Sequence, residues 1–408
     1  MALSFSCAAS LLTHPGNHGK NQQFRGKIQT LVEESGIPSI SSSSPPYESL
    51  RRGNWVKLIC GASFEDVIDI RNLSLVYALA GVDCIDCAAD SSVVNAVNEG
   101  IEAAREIVPL RKPWVMISIN DDEDLHFRKA EFDPEECPAD CSRPCEMVCP
   151  ANAISLKKGG VIKERCYGCG RCFPICPYDN IRGHSYIRDA SSTCQLLEQD
   201  VVDAIEIHTR ARHVDPFYKL WNILAESISH VKLVAVSFPD VGDSTVSAMH
   251  MMYSIMKAHL HCYNLWQLDG RPMSGDIGRG ATREAIAFAL HMAAVSNRPH
   301  GFLQLAGGTN SHTIDSLKKV GLFQKMSAAG YSNGRMSAAN AAGLPQALIG
   351  GVAYGGYARK IVGRVLNKMQ SQHGISHIED YPEYLLEALI EATNLVGPVK
   401  CYKLPTHL

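Results

Sequence analysis

The stretch that decides the fold lies in the middle of the chain, where residues 137–182 read CPADCSRPCEMVCPANAISLKKGGVIKERCYGCGRCFPICPYDNIR. Eight cysteines lie here in two groups of four, and a Cys-Pro pair ends each group. The second group has the form Cys-x2-Cys-x2-Cys-x3-Cys-Pro over residues 166–177, and the first has x3 spacings over residues 137–150. The tetrapeptides after the first and second Cys-Pro pairs, ANAI and YDNI, are similar. This indicates a half-repeat, with a hairpin around Gly159 and Gly160.

The spacing of the second group is that of bacterial two-cluster ferredoxins, in which three thiolates bind one cluster and the fourth binds the other. This rule assigns Cys149 to the same cluster as the first three cysteines of the second group. The other cluster then takes Cys176 and the rest of the first group. The sequence therefore predicts two [4Fe–4S] clusters, with Cys137, Cys141, Cys145, Cys149, Cys166, Cys169, Cys172 and Cys176 as metal ligands.

Other readings of these cysteines are open. The x3 spacings of the first group depart from the ferredoxin pattern, so a degraded or [3Fe–4S] centre is an alternative there, and Cys137 is the ligand that the spacing supports least. Cys-x2-Cys pairs also hold zinc, but the repeated Cys-Pro ending favours iron–sulfur. A further pair, Cys84 and Cys87, is predicted to be structural, because side chains three residues apart on a strand point to opposite faces.

Outside this segment, short apolar strands alternate with helical patterns, which is typical of a parallel sheet covered by helices. Eight strands over this length favour a closed (β/α)8 barrel over an open doubly wound sheet. The strands are predicted at 56–61, 84–88, 114–119, 204–208, 232–238, 265–268, 301–305 and 347–352. The barrel is expected to occupy residues 54–136 and 183–370, with a helical tail over 371–408.

The cysteine segment, residues 137–182, is a ferredoxin-like insert between the third and fourth predicted strands. A segment that follows a barrel strand emerges at the carboxyl end of the barrel, where active sites lie. We therefore expect the clusters to lie at the barrel mouth, in a position to exchange electrons with whatever binds there.

Glycine-rich turns follow the last barrel strands, where phosphate-binding barrels hold their ligand. Backbone N–H groups at such turns and at helix starts can bind an anion, and the alternative is that these glycines only permit tight packing. A polar loop, DGRPMSGDIGRG at residues 269–280, follows the sixth strand, and its arginines suit a carboxylate or phosphate. The predicted contacts to a flavin or phosphorylated ligand are Gly307, Gly308, Thr309, Asn310, Gly350, Gly351, Gly355, Gly356, Arg271 and Asp276.

Composition excludes several classes of protein. The net charge is −3, so no overall basic field attracts nucleic acid. No apolar run reaches the roughly 18 residues of a membrane helix, so no transmembrane segment is expected. The many scattered cysteines fit a reducing compartment better than a disulfide framework.

The first fifty residues differ from the rest. Residues 1–32 contain no Asp or Glu, three basic residues and many small or hydroxylated ones. This composition is typical of an organelle transit peptide, and the opening Met-Ala-Leu-Ser favours a plastid. The sequence therefore predicts a transit peptide and disordered linker over residues 1–50, and a location in the chloroplast stroma.

Three stretches of the chain together resemble the light-dependent-period protein (LdpA) family. They are the first cysteine group, the segment DGRPMSGDIG (269–278) and the segment LAGGTN (305–310). The resemblance covers most of the chain after residue 54. It implies an iron–sulfur protein that senses redox state and passes light-linked information to partner proteins, with association with photosynthetic redox complexes. The bacterial members act on the circadian clock. The N-terminal extension implies a plastid member, to which the clock role does not carry over.

Two functions compete at this point. The first is a redox-sensing or electron-relay protein linked to photosynthetic redox state, with a redox partner protein or photosynthetic electron-transfer complex. The second is an enzyme, a barrel oxidoreductase that passes electrons from its clusters to a flavin or an anionic small-molecule substrate. The sequence offers no acid–base constellation that would assign catalytic residues.

Overall fold

The computed structural model describes residues 18–34, 45–270, 280–326 and 346–402. The strands in chain order are β1 (Trp55–Gly61), β2 (Cys84–Ala88), β3 (Trp114–Asn120), β4 (Arg128–Glu131), β5 (Ile154–Ser155), β6 (Gly160–Val161), β7 (Arg182–Ser185), β8 (Ala204–His208), β9 (Leu233–Pro239), β10 (Tyr263–Asp269), β11 (Phe302–Ala306) and β12 (Gly351–Tyr354).

The helices in the same ranges are α1 (His18–Glu34), α2 (Pro46–Arg52), α3 (Val67–Leu79), α4 (Ser91–Ile107), α5 (Pro144–Val148), α6 (Ala190–Leu197), α7 (Val214–Leu224), α8 (Thr245–Met256), α9 (Ala281–Ala294), α10 (Thr313–Lys319), α11 (Gly356–His373) and α12 (Pro382–Lys400). None of these helices has both the length and the apolarity that a membrane span requires.

Eight parallel strands of the described chain close into a barrel in the order β1-β2-β3-β8-β9-β10-β11-β12. This confirms the predicted (β/α)8 architecture. The strands are buried on both faces, because helices cover the outside and side chains fill the inside. The last strand begins at Gly351 and not at residue 347, because Ala347 forms an isolated bridge with Met326.

The amino end of the barrel is sealed by apolar side chains. Trp55 and Trp114 pack edge to face with ring centroids 5.7 Å apart, and Leu50 of α2 is fully buried beneath them. Cys84 points into this layer, whereas Cys87 joins the core between the barrel and the helices. Among the described residues, this packing closes the amino end of the barrel.

The N-terminal region differs from the expected disordered linker. Helix α1 contributes Ile28, Leu31 and Val32 to the main core, and it packs on α12. Helix α2 contributes to the apolar layer that closes the amino end of the barrel. The prediction of disorder is therefore wrong for residues 18–34 and 46–50, because apolar side chains there are buried by the rest of the fold.

The cysteine segment projects from the barrel between β3 and β8. Its two ends pair as an antiparallel ribbon, with Arg128↔Ser185 and Glu131↔Arg182 in register between β4 and β7. Inside the segment, β5 and β6 form the short hairpin expected around Gly159 and Gly160. We call residues 128–185 the cluster module.

The module is fixed to the loop after β1. The Glu65 carboxylate pairs with Lys129 at 2.9 Å and with Arg188 at 2.5 Å, and Asp66 pairs with Arg165 at 2.9 Å. The backbone N–H of Glu65 also donates to the carbonyl of Glu164 at 2.8 Å. These contacts hold the module over the carboxyl end of the barrel, as its insertion point predicts.

Candidate functional site

Four of the predicted ligands line one cavity in the cluster module. Cys149 faces Cys166, Cys169 and Cys172 around about 350 Å³ of space not filled by atoms. Cys149 comes from the first sequence group and the others from the second, which is the division that the ferredoxin rule predicts. The walls are apolar, with Ala130, Ala153 and Ile154 among them.

The thiols in this cavity disfavour one another's ionisation. Burial and, after it, the neighbouring Cys169 and Cys166 raise the pKa of Cys172 to about 12. Burial likewise raises the pKa of Cys149 and of Cys169. Four buried thiolates become stable together only when a cationic centre neutralises them, so this arrangement suits a metal cluster.

Backbone N–H groups are aimed at the sulfur atoms. Ala130 donates to Cys166 Sγ and Ala153 to Cys149 Sγ, each at 3.2 Å, and Arg143 donates to Cys141 Sγ at 3.4 Å. Hydrogen bonds of this kind stabilise thiolate ligands and tune the potential of an iron–sulfur cluster. The residues present therefore fit a [4Fe–4S] cluster in the cavity lined by Cys149, Cys166, Cys169 and Cys172.

The other four predicted ligands also lie close together. Burial raises the pKa of Cys137, and the nearby Cys141 and Cys176 add to the rise. For Cys145, burial is again the largest cause of a raised pKa, with Cys137 and Cys176 contributing. The structure thus brings the eight cysteines together as two sets of four, each drawing on both sequence groups. We call the set containing Cys149 the inner set and the other the outer set.

Arg128 supports the inner set. Its guanidinium donates two hydrogen bonds to the carbonyl of Gly168, at 3.0 and 2.7 Å, and lies over the Phe173 ring at 5.0 Å. Gly168 has a φ of +66°, and a side chain there would overlap the Arg128 carbonyl. The cysteine loop therefore requires glycine, and it gains a positive charge next to its thiolates.

Tyr167 connects the inner set to the barrel. It stands between two cluster cysteines in sequence, and the Arg359 guanidinium lies 4.2 Å from its ring centroid. Arg359 donates to the carbonyls of Ile59 and Cys60, each at 2.8 Å, at the end of β1. Phe64 meets Tyr167 edge to face at 6.2 Å. A continuous contact thus runs from the inner set to the barrel mouth.

The barrel interior below the mouth is polar, which the sequence analysis missed. The Lys57 ammonium and the Glu206 carboxylate form an ion pair, and both side chains are fully buried. Glu206 accepts from Gln267 at 2.5 Å, and Gln304 donates to Gln267 at 2.6 Å. The sequence feature that could have revealed this layer is a polar residue in the middle of an otherwise apolar strand, such as Lys57 in β1 or Glu206 in β8.

The charged groups in this polar layer shift one another's pKa. Burial, and then Glu206, raise the pKa of Asp86 to about 7, although Lys57 and the Ser118 hydroxyl oppose the rise. Burial acts to raise the pKa of Glu206, but Lys57 and His208 together outweigh it and hold the value at about 2. Buried carboxylates with opposed shifts are typical of functional sites.

A second polar group lies directly at the mouth. His126, on the arm between β3 and β4, contacts Asp124 through Nδ1 at 2.6 Å and Asp269 through Nε2 at 3.2 Å. Its ring is 4.8 Å from that of His208, centroid to centroid. Burial acts to lower the pKa of His126, but the two carboxylates raise it well above its usual value. Of these residues, the sequence analysis singled out only Asp269, as the start of the polar loop at residues 269–280.

The predicted phosphate contacts are only partly at the mouth. Gly350 and Gly351 lie at the amino end of β12, packed against Leu50 and Trp55, so they face away from the mouth. Their assignment to ligand binding is therefore wrong, and close packing accounts for them. Gly355 and Gly356 do follow β12 and begin α11. Arg271 and Asp276 lie outside the described residues.

The polar side chains of the turn after β11 form hydrogen bonds within the fold. A side chain at Gly308 would meet Ala281 at 2.8 Å, and its φ is +92°, as the tight turn after Gly307 requires. Thr309 donates to the Ala353 carbonyl at 2.6 Å, and Asn310 donates to the Thr282 hydroxyl at 2.6 Å. These contacts favour the packing interpretation of the turn over phosphate binding.

Comparisons with known proteins agree with this geometry. The family model described as the LdpA Fe-S cluster-binding domain matches residues 137–187, and the Light dependent period A C-terminal domain matches residues 196–398. An uncharacterized ferredoxin of Methanocaldococcus jannaschii is 44% identical over 52 residues, which cover 12% of this chain and 34% of that protein. The electron transport protein HydN of Escherichia coli is 54% identical over 37 residues, or 9% of this chain and 21% of HydN.

One relative matches over almost its whole length. Light dependent period A of Synechococcus elongatus is 40% identical over 361 residues, which cover 88% of this chain and 95% of that protein. The chain is thus an iron–sulfur protein with ferredoxin-like electron-transport relatives, and the resemblance predicted from its motifs is confirmed. On this match and on the two family models, the chain belongs to the light-dependent-period A family.

Proposed function

We propose that the protein is a redox-sensing electron relay that carries two [4Fe–4S] clusters, one on each set of four cysteines. The grouping of the eight thiols into two sets, each drawn from both halves of the repeat, is the observation that carries this proposal. Paired clusters in one module suit transfer of single electrons between two partners.

The surface beside the outer set supports exchange with a partner protein. Met147 is 76% exposed, Ile175 44% and Tyr178 45%, and all three are within two residues of a cluster cysteine. Exposed apolar side chains grouped in this way mark contact sites for other proteins. The partner in this proposal is a redox protein or a photosynthetic electron-transfer complex.

Anaerobic analysis tests the cluster content. Two [4Fe–4S] clusters predict about eight iron and about eight acid-labile sulfide per chain, and an electron paramagnetic resonance signal from reduced clusters. A [3Fe–4S] centre on the outer set would instead show its signal in the oxidised protein. Colourless protein that contains zinc and no sulfide would refute the relay.

The polar layer inside the barrel favours a second candidate, a barrel oxidoreductase. The clusters lie over a mouth that leads to buried Lys57, Asp86 and Glu206, which a relay does not need. In this candidate the clusters pass electrons to a flavin or an anionic substrate. Flavin absorbance, or a bound phosphorylated ligand in anaerobically purified protein, would favour the enzyme, and cluster signals alone would favour the relay.

The relay acts in the chloroplast stroma in this proposal, which the acid-free composition of residues 1–32 supports. A fluorescent protein fused after residue 50 is expected to accumulate in chloroplasts. Because Ile28, Leu31 and Val32 are buried in the core, the mature protein should begin upstream of them. Mass spectrometry of the imported full chain measures that end, and fluorescence that stays in the cytosol would refute the location.

A further inference from the structure

Three potential metal ligands meet at the barrel mouth, apart from the cysteines. Asp124, His126 and His208 each offer a ligand atom, and these atoms all lie within 4.8 Å of one another. Asp124 contacts His126 Nδ1, whereas Asp269, at the end of β10, brings its Oδ2 to 3.2 Å from the other ring nitrogen, Nε2. Two imidazoles and one carboxylate are therefore gathered at one point, and a second carboxylate holds the His126 ring from its far side.

One oxygen of the Asp269 carboxylate is not satisfied by the contact with His126. Asp269 is only 5% exposed, and its Oδ1 is buried without a hydrogen-bond donor among the described residues. A buried carboxylate oxygen that lacks a partner costs free energy, and more so when the group is charged. A cation bound to the neighbouring His126 would offset part of this cost through its charge.

The side chains are held in place by their surroundings. His208 Nε2 lies 3.1 Å from Glu206 Oε1, a carboxylate contact that orients the ring and leaves its other nitrogen for a ligand. The carbonyl of His126 accepts from the Ser63 hydroxyl at 2.6 Å. The Asn120 side chain donates to the carbonyls of Asp122 and Tyr186, at 2.8 and 2.9 Å, and so ties the start of the arm to the residue that follows β7.

We propose that Asp124, His126 and His208 bind one divalent transition metal of the Zn²⁺ or Fe²⁺ type, separate from the iron–sulfur clusters, and that Asp269 orients the His126 ring from its other nitrogen. Imidazole and carboxylate together favour these ions over Ca²⁺ and Mg²⁺, which prefer oxygen ligands alone. The metal joins the arm that leads into the cluster module to strand β8. It therefore fixes the position of the module over the mouth.

Zinc binding to the full-length, cluster-loaded protein tests this site. After equilibrium dialysis against Zn²⁺ under anaerobic conditions, we expect about one zinc per chain in the native protein. In Asp124→Asn and in His208→Ala we expect the affinity for zinc to be at least about tenfold weaker. Iron and sulfide must stay at native levels in both variants, which shows that the cysteines still hold their clusters. Zinc should also raise the Tm of the native protein, because it binds only the folded state.

The matched control is His184→Ala, since His184 is exposed on β7 of the same module. This variant should retain zinc as the native protein does. Asp124→Asn keeps the shape of the side chain, so its result stands even if His208→Ala folds poorly. Equal zinc affinity in the native protein and Asp124→Asn, or no zinc in the native protein at native iron content, would overturn the site. The cluster proposal would survive that result, because it depends on the cysteines alone.

Discussion

Replacing Cys172 with serine is expected to remove the inner cluster, so that iron and sulfide fall by about half. Cys172 shares one cavity with Cys149, Cys166 and Cys169, and serine offers a harder, poorer ligand to iron. Because cluster binding is coupled to folding of the module, the yield of soluble protein should fall as well. Iron and sulfide analysis of anaerobically purified protein measures the loss.

Cys84→Ser is the matched control for this experiment. Cys84 is fully buried in the apolar floor of the barrel, far along the chain from the module, and touches no cluster cysteine. Its replacement should leave iron and sulfide unchanged. Unchanged iron in Cys172→Ser would contradict the ligand assignment, and loss of iron in Cys84→Ser would contradict the structural role of that thiol.

The cysteine grouping could be predicted because a cluster takes most of its ligands from one short loop. Spacing along 166–172 fixes which thiols converge, and the Cys-Pro turn carries Cys176 to the other set. The barrel strands were predictable for a related reason. A strand covered on both faces is an apolar run such as Val234–Val236, and eight such runs alternate with helices.

Other features could not be predicted because they depend on contacts between distant segments. Helix α3 is buried on most sides, by α4, α11 and α12 among others, so it lacks the one-sided apolar pattern that reveals a surface helix. The glycines before β12 resembled a phosphate loop, yet only the barrel register shows that Gly351 pairs with Trp55 at the closed end. Glycine serves both purposes, and sequence alone does not separate them.

The ion pair between Lys57 and Glu206 joins residues 149 positions apart, and it gives the largest stability effect expected outside the clusters. Lys57→Met leaves Glu206 and Asp86 as buried carboxylates without their ammonium partner. Breaking such a pair costs about 3–5 kcal/mol. A drop in the free energy of unfolding of that size is expected at pH 7, measured by denaturant titration of the cluster-loaded protein.

The loss in Lys57→Met should shrink as the pH falls. In the native protein Lys57 holds the pKa of Glu206 at about 2, below its ordinary value of 4.5, so the pair adds stability above pH 4.5 and loses it towards pH 2. Lys57→Met/Glu206→Gln should recover part of the loss, because no uncompensated charge then remains at Glu206 and the amide oxygen still accepts from Gln267. Lys232→Met, at an exposed ion pair with Asp203, should cost about 1 kcal/mol or less. Equal losses in Lys57→Met and Lys232→Met would show that the buried pair is not what stabilises the barrel interior.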